Sequence, residues 1–211
     1  MKVKKLLLVL SILPSLIFAQ DVDIETKWAN GQTQEKGKTI DGLKQGEWQT
    51  FYDDGAKFCF GEYSNGEKYG RWQCYYRSGQ LMSDINFGDG KVLGYFGDGT
   101  TELEGQHKTG EKAGIWIEYF KTGTLKSEIS YKEGARDGAA KEYYADGKLS
   151  VEGNYSEGKK SGAFKWYYPD GKVEMEGDFE ADERTGHWKF NYKNGTLGSE
   201  GDFAKGQIHG E

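Results

Sequence analysis

The sequence has 211 residues, enough for one or two ordinary domains or for a single repeat array. Glycine is abundant at 32 residues, proline is rare at two, and aromatic residues make up 15% of the chain, which favours turns and strands over helices and a conventional aliphatic core. Acidic residues outnumber basic ones by 34 to 28, and the sequence contains no basic patch of the kind that binds phosphate backbones or anionic lipid, so we expect no nucleic-acid partner.

Residues 1–19 have the pattern of a secretory signal peptide. Three lysines precede an apolar run, and cleavage after Ala19 is expected. A membrane anchor is the alternative, but the run is short and contains Pro14. No cysteine follows the expected cleavage site, so no lipid anchor is predicted, and no later stretch is long and apolar enough to span a membrane. The mature chain, residues 20–211, would lose three of the 28 basic residues and none of the 34 acidic ones, for a net charge of 25 − 34 = −9, and would lie in the periplasm or outside the cell.

The mature chain is a repeat. A partial unit begins at Trp28, and glycines then recur at a constant spacing, apart from one shorter step between Gly94 and Gly114. The recurring glycines are Gly46, Gly70, Gly94, Gly114, Gly138, Gly162, Gly186 and Gly210. The period of about 24 residues is typical of repeat arrays. We interpret the short step as a four-residue deletion that removes the tryptophan segment from the unit at 94–114. The predicted domain organisation is therefore a signal peptide over residues 1–19 and one repeat array over residues 20–211.

Each unit predicts one β-hairpin. The unit reads G-x-W-x-x-Y-Y-x-D-G-x-L-x-x-E-G-x-Y-x-x-G-x-x-x-G, and its central dipeptide is Asn-Gly or Asp-Gly in six units, as at Asp54-Gly55, which is typical of a two-residue type I′ turn. That turn places Trp48 opposite Gly61, whose bare backbone the ring is expected to cover, and Tyr52 opposite Lys57. Because the G-x-x-x-G links let the chain turn between hairpins, the predicted fold class is all-β: an elongated array of stacked β-hairpins in an antiparallel meander, with no helix beyond the signal peptide.

The two cysteines lie in strands that should be neighbours. Cys59 is on the second strand of one hairpin and Cys74 on the first strand of the next, and a register that pairs Tyr63 with Gly70 places them opposite each other. Exported proteins meet oxidising conditions. We therefore predict a Cys59–Cys74 disulfide, with two half-buried free thiols as the alternative.

Alternation along the strands divides the aromatic rings between two faces. One face is expected to form the core, with structural roles for Trp48, Trp72, Trp116, Phe164 and Trp188. The rings off that face are the candidate exposed binding row: Phe51, Tyr75, Tyr119, Tyr143 and Tyr167. A row of glutamates is also expected to point away from the tryptophans: Glu104, Glu128, Glu152, Glu176 and Glu200.

The sequence predicts no convergent catalytic or metal site. His107, His187 and His209 occupy different places in the repeat, so they are not expected to meet on a metal. Paired carboxylates occur at 53–54 and 180–183, where turns and loops are expected, and no calcium-loop pattern is present. We therefore predict no enzyme, no cofactor and no metal.

Segments such as EGNYSEGKKSGAFKWYYPDGK and FGEYSNGEKYGRWQCYYRSGQ resemble the MORN repeat, with its Y-x-G-x-W-x-x-G-x-x-x-G core, and more closely its bacterial variant class, which sometimes carries an antitoxin-like label. The matching positions are Gly61, Tyr63, Gly66 and Gly70, with equivalents in the other units over residues 28–210. The step is slightly longer than is usual for MORN repeats, and tryptophan stands where many of them carry a second glycine. The resemblance implies a hairpin array used for interaction with proteins or membrane surfaces.

These observations predict an exported, non-catalytic repeat scaffold that binds another protein or an envelope surface. The alternative is a module that binds carbohydrate or the cell envelope through its repeated aromatic residues. That alternative arises because W-x-x-Y-Y-x-x-G also faintly resembles the choline- and glucan-binding repeats of cell-wall proteins, in which aromatic rings grip a cation or a sugar face.

Overall fold

The structure, a computed structural model, describes residues 20–209. The predicted signal peptide of residues 1–19 lies outside this range and stays a prediction. Every regular element among the described residues is a β-strand. None of these residues belongs to a helix long and apolar enough to cross a membrane. The predicted all-β fold class is confirmed.

Residues 20–209 form a single antiparallel sheet of 18 strands, which follow one another in chain order as a meander. The strands are β1 (Asp21–Lys27), β2 (Thr33–Ile40), β3 (Leu43–Phe51), β4 (Lys57–Ser64), β5 (Glu67–Tyr75), β6 (Leu81–Phe87), β7 (Gly90–Tyr95), β8 (Thr101–Lys108), β9 (Glu111–Tyr119), β10 (Leu125–Lys132), β11 (Ala135–Tyr143), β12 (Leu149–Ser156), β13 (Lys159–Lys160), β14 (Gly162–Tyr167), β15 (Val173–Glu180), β16 (Glu183–Asn191), β17 (Leu197–Ala204) and β18 (Gln207–Ile208). The short β13 and β14 together take the place of one strand beside β12. Each hairpin is therefore stabilised by the hairpins before and after it.

The turn in the middle of each unit differs from the predicted type I′ turn. In the first complete unit, the N–H of Gly55 donates to the carbonyl of Tyr52 at 3.0 Å, and only Gly55 of the central pair has a positive φ, 86°. This is the three-residue hairpin loop in which a tight turn is followed by a glycine bulge. Asp54 keeps an ordinary backbone conformation, since its carboxylate accepts the N–H of Ala56 at 2.9 Å.

The extra loop residue changes the register near the turn. Phe51, rather than Tyr52, pairs with Lys57, so the predicted Tyr52–Lys57 pair is wrong. Beyond the bulge, Trp48 pairs with Gly61 as predicted.

Type I′ turns occur instead in the links between hairpins. Asn65 and Gly66 both have positive φ, 51° and 85°, as this turn requires. The same pair of left-handed residues recurs in the other links except the one at Gly88–Asp89: Asp41–Gly42, Thr109–Gly110, Glu133–Gly134, Glu157–Gly158, Ala181–Asp182 and Lys205–Gly206. The links therefore determine how each hairpin lies against the next one.

A bulge at the first glycine of each unit directs the tryptophan onto the preceding hairpin. Gly46 has a φ of 66°, and the register of β2 against β3 shifts beside it. The ring of Trp48 then covers Gly37 on β2, where an added Cβ would lie less than 3.0 Å from the ring. Gly61 lies under Trp72 in the same way. The expectation that Trp48 covers Gly61 is therefore wrong, because the ring packs on the strand before it and not on its own hairpin partner.

The deletion in the shortened unit removes part of a link and not the tryptophan segment. Only two residues separate Phe87, the last residue of β6, from Gly90, the first of β7, whereas six separate the equivalent Tyr63 and Gly70. The connection itself has two residues, as in the other links, so the deletion shortens the strand ends on either side of it. Val92 takes the place of tryptophan, pairing with Ile85 on one side and Gly105 on the other. Gly90, and not Gly94, is thus the repeat glycine of this unit, and the predicted position of the deletion is wrong.

Candidate functional site

One face of the sheet, here called the tryptophan face, carries the rings that were assigned structural roles. Their exposed fractions are 1% for Trp48, 2% for Trp72, 5% for Trp116, 2% for Phe164 and 0% for Trp188. Smaller residues fill the same row in two units, Val92 at 4% and Ala140 at 7%. The row forms the core of a sheet that has no second layer in residues 20–209.

The indole N–H groups bind the backbone of the preceding hairpin. Trp48 donates to the carbonyl of Lys38 at 3.0 Å, and Trp72 donates to that of Glu62 at 2.9 Å. Trp116 is the exception, since its buried Nε1 has no hydrogen-bond partner among the described residues. Burial of an unpaired donor costs free energy, so Trp116 is the least well satisfied ring of the row.

Edge-to-face contacts join the rings along the tryptophan face. Tyr63 lies between Trp48 and Trp72, with ring centroids 5.8 and 5.1 Å apart. Where Ala140 replaces a ring, Arg136 spans the gap instead, and it donates to the hydroxyl of Tyr155 at 3.2 Å. The aromatic contacts therefore extend over most of the array without a second sheet.

A row of basic side chains, here called the cation row, covers these rings. Lys44 Nζ lies 3.9 Å from the centroid of a Trp48 ring, and Lys112 Nζ lies 4.1 Å from that of Trp116. The full row, as far as the structure describes it, is Lys44, Lys68, Lys112, Arg136, Lys160 and Arg184. Desolvation, together with the charge of Lys44, lowers the pKa of Lys68. Sequence reasoning missed this basic surface, because its members lie at least one repeat unit apart in the sequence and adjoin only in the sheet.

The rings predicted to be an exposed binding row are half-buried. They are Phe51, Tyr75, Tyr119, Tyr143 and Tyr167, and each has an intermediate exposure. Three of their hydroxyl groups donate to glutamates of the preceding hairpin: Tyr119 to Glu104 at 2.6 Å, Tyr143 to Glu128 at 3.0 Å and Tyr167 to Glu152 at 2.5 Å. The expected full exposure is therefore not observed, because neighbouring hairpins cover the rings and use their hydroxyl groups.

These contacts hold the tyrosines in their neutral form. The hydrogen bond to Glu104, with desolvation, raises the pKa of Tyr119 to about 12. Desolvation and the hydrogen bond to Glu152 raise the pKa of Tyr167 to about 12 as well.

A second tyrosine, at Tyr52, Tyr76, Tyr144 and Tyr168, ties the ends of successive hairpins together. The hydroxyl of Tyr52 donates to the carbonyl of Tyr75 at 2.9 Å, and that of Tyr168 to the carbonyl of Asn191 at 2.7 Å. Sequence reasoning did not assign a role to these residues. The second tyrosine of the Tyr-Tyr pair recurs with the repeat, and this recurrence could have indicated a structural role.

The face opposite the tryptophans, here called the ladder face, carries alternating charges in its C-terminal half. Each member of the ladder pairs with the next on the adjacent strand: Glu128, Lys141, Glu152, Lys165, Glu176, Lys189 and Glu200. Lys165 and Glu176 are close enough for an ion pair, 3.0 Å. Opposite charges directly across a strand pair stabilise a sheet, so this half of the face is largely neutralised internally.

The N-terminal half of the ladder face breaks this pattern. Gln49, Phe60 and Gln73 occupy ladder positions on β3, β4 and β5, with Phe60 paired to a glutamine on each side. They line a cavity of about 420 Å³ together with Glu47, Glu62 and Arg71, among others. This cavity brings together unlike side chains, whereas the C-terminal half of the ladder face repeats like ones.

The two cysteines lie opposite each other on adjacent strands, whereas His107 and His187 lie in separate parts of the sheet. Cys59 pairs directly with Cys74, with Cα atoms 4.1 Å apart, and a disulfide joins them on the tryptophan face. His107 lies between Phe87 and Trp116, with its ring tilted against both. The ring nitrogens of His187 lie 3.0 Å from carboxylate oxygens of Glu200 and Asp202, which accept hydrogen bonds from the ring and raise its pKa. No group of three or more metal-ligating side chains occurs within residues 20–209.

Comparison with protein families matches the repeat to one of them. The MORN repeat variant model matches four segments of the chain, residues 68–89, 112–133, 136–157 and 160–181. This chain belongs to the MORN repeat variant family. No curated protein matches the chain. The predicted resemblance to MORN repeats is confirmed.

Each matched MORN segment begins at a residue of the cation row and ends within the link turn that precedes the next unit. The segments starting at Lys68, Lys112, Arg136 and Lys160 thus include both the basic residue and the ring that it covers, or the alanine that replaces it. Phe60 and Gln49 precede the first matched segment. Arg71 and Gln73 lie within that segment, so the irregular cavity straddles the start of the matched MORN repeats, while the cation row runs through them.

Proposed function

We propose that this MORN repeat protein is an exported, non-catalytic scaffold that binds another protein or an envelope surface. Repeats of this family suggest interaction with proteins or membrane surfaces. The fold supports such a role, because a meander of similar hairpins presents the same side chains many times along one line.

The cation row is the observation that carries the proposal. It provides about one positive charge for every two strands, or roughly every 9.5 Å where the row is regular. The chain as a whole is acidic, so the row is a concentrated exception to its charge. Desolvation and the charge of Lys44 both disfavour the charged form of Lys68, and an anionic partner group beside Lys68 would offset this. Lys44 itself already pairs with Glu35 at 2.7 Å. The favoured partner is therefore a protein with a row of acidic side chains.

Cross-linking in the native cell, followed by isolation and mass spectrometry, tests this function. The Lys68→Gln/Lys112→Gln variant removes two charges of the cation row, and Lys141→Gln/Lys165→Gln is the matched control on the ladder face. We expect the wild type and the control to capture the same partner, and the cation-row variant to capture several-fold less of it. Equal capture by both variants would show that the partner binds elsewhere.

Export is tested separately. Cell fractionation should place the protein outside the cytoplasm, and sequencing of its N-terminus should begin at Gln20. Recovery of the cytoplasmic protein with residues 1–19 intact would contradict this part of the proposal.

A carbohydrate- or envelope-binding module is the second candidate function. The half-buried row from Phe51 to Tyr167 offers little free ring surface for it. The cavity around Phe60 favours it instead, because that cavity combines an aromatic ring with unpaired polar groups.

A further inference from the structure

The cavity on the ladder face lies where the repeat is irregular. The regular ladder has glutamate on the second strand of each hairpin and lysine on the first strand, as in Glu152 and Lys165. The strands β3, β4 and β5 have Gln49, Phe60 and Gln73 at these positions. Three neighbouring departures from one pattern bring an uncharged ring and two amides together, and these side chains line the cavity.

An aromatic platform forms the centre of the cavity. Phe60 is half-buried and stacks on Tyr75, with ring centroids 5.9 Å apart and planes inclined by 14°. The stack holds the ring of Phe60 in one orientation. A fixed ring of this kind offers an apolar surface to a flat ligand without the loss of many rotamers.

The polar groups around the platform have hydrogen-bonding capacity to spare. The amide of Gln49 forms no side-chain hydrogen bond among the described residues, whereas Gln73 donates to Asp84 at 3.2 Å. An amide can both donate and accept, so Gln49 can pair with a hydroxyl group in either sense. Arg71 is already neutralised by Asp84, with Nε 2.8 Å from Oδ1.

Two carboxylates without an ion-pair partner among the described residues line the same cavity. Glu47 and Glu62 lie directly opposite each other on β3 and β4, and neither forms an ion pair or a side-chain hydrogen bond within residues 20–209. Like charges in this arrangement destabilise a strand pair. A ligand that donates hydrogen bonds to both carboxylates would offset that repulsion, whereas an anionic ligand would add to it.

We propose that this cavity binds a neutral hexopyranose unit of a glycan. The apolar face of the sugar ring would lie on Phe60, and its hydroxyl groups would donate to Glu47 and Glu62 and exchange hydrogen bonds with Gln49. The cavity volume of about 420 Å³ falls within the range of about 300–1,000 Å³ that is usual for small-molecule sites. The inference rests on the second candidate function, for which it names the ligand class and the site, and it does not depend on the cation row, which lies on the opposite face.

Nuclear magnetic resonance titration of the folded full chain tests the site. The probes are glucose, galactose and N-acetylglucosamine, together with linear tetrasaccharides of β-linked glucose and of β-linked N-acetylglucosamine. We expect at least one probe to shift the side-chain amide signals of Gln49 and Gln73 in a saturable manner. The absence of binding by every probe would overturn the proposal.

A variant that restores the regular repeat separates binding from folding. Phe60→Glu creates the glutamate that regular hairpins carry, and Tyr75 can donate to it as Tyr119 donates to Glu104. The variant should therefore fold, yet bind the sugar about tenfold more weakly or not at all. Glu152→Gln on the regular ladder is the matched control and should bind as the wild type does.

Two outcomes would contradict the assignment. Unchanged affinity in Phe60→Glu would place the sugar site elsewhere. Shifts produced by calcium alone, with none produced by the sugars, would identify the Glu47–Glu62 pair as a cation site instead. Neither outcome would bear on the protein partner, which the cation-row variant tests separately.

Discussion

Each ring on the tryptophan face is matched in size to a residue on the strand before it. Trp116 packs on Gly105, where an added Cβ would approach the ring closer than 3.0 Å. Where the ring is replaced by Val92 or Ala140, the residue opposite is a large one, Ile85 or Ile129. The repeat therefore maintains the volume of each pair while its members change, as close packing requires.

If the large and the small residue of such a pair are exchanged together, the second substitution should therefore recover part of the stability that the first one loses. Gly105→Ile should destabilise the protein by about 1–3 kcal/mol or more, because the side chain meets the ring of Trp116. In the Gly105→Ile/Trp116→Val double variant, which copies the Ile85–Val92 pair, the two substitutions should couple favourably by about 0.5–3 kcal/mol. Denaturant unfolding of the four proteins of the cycle measures this coupling. Additive losses would show that the pairing of sizes is not the reason for the pattern.

The unpaired indole of Trp116 leads to a prediction about its replacement by phenylalanine. At Trp72, Phe removes an N–H that donates to Glu62, and the acceptor loses its partner. At Trp116, Phe removes a donor that has no partner among the described residues. We expect Trp72→Phe to cost more free energy of unfolding than Trp116→Phe, by about 1 kcal/mol. The opposite order in thermal or denaturant unfolding would show that the Trp116 N–H is satisfied in solution.

The tyrosine–glutamate pairs predict a loss of stability in alkali. The pKa of Tyr119 and of Tyr167 rises from 10.0 to about 12 on folding, so the folded state holds these protons more tightly. Their contribution is fully present below pH 10 and is lost as the pH rises from about 10 to about 12. Urea midpoints at pH 9 and pH 11.5 should fall less in Tyr119→Phe/Tyr167→Phe than in the wild type. An equal fall would mean that these hydroxyl groups ionise normally.

At the scale of the hairpin, the two kinds of turn explain why the sequence predicted the hairpins but not the turn type or the packing of the rings. Alternating aromatic and polar residues around Asp-Gly pairs were enough to predict hairpins, and the Trp48–Gly61 pairing followed. The turn type did not follow, because the Asp54 carboxylate accepts the backbone N–H of Ala56 and Asp54 needs no positive φ. The left-handed pairs lie in the links, where residues such as Thr109 and Glu133 gave no such signal. The links also decide which strand each ring covers, so that packing could not be read from one hairpin alone.

The disulfide joins two hairpins and not the strands of one. Cys59 and Cys74 are 15 residues apart, and a loop of this length corresponds to about 3 kcal/mol of stabilisation in the chain-entropy model. Reduction should therefore lower the free energy of unfolding by about that amount. The Cys59→Ala/Cys74→Ala variant should unfold at the same denaturant concentration with and without reductant. Alkylation of both thiols in unreduced protein from its native compartment would contradict the bridge.

At the scale of the whole molecule, the two faces of one sheet have different chemistry. The core rings and the outward direction of the glutamates followed from alternation, which is local. The cation row and the cavity around Phe60 did not follow from the sequence, because they depend on contacts across several hairpins. Arg136 illustrates this, since it bridges to Tyr155 across the gap that Ala140 leaves.

Site-specific photo-cross-linking in the native cell tests most directly whether the tryptophan face binds the partner. One protein carries the photoreactive residue at Lys68, in the cation row, and its matched control carries it at Lys141, on the ladder face; both positions are exposed. The account predicts a discrete cross-linked product with a second protein from position 68 and little or none from position 141. A product from position 141 alone, or none from either position, would contradict it.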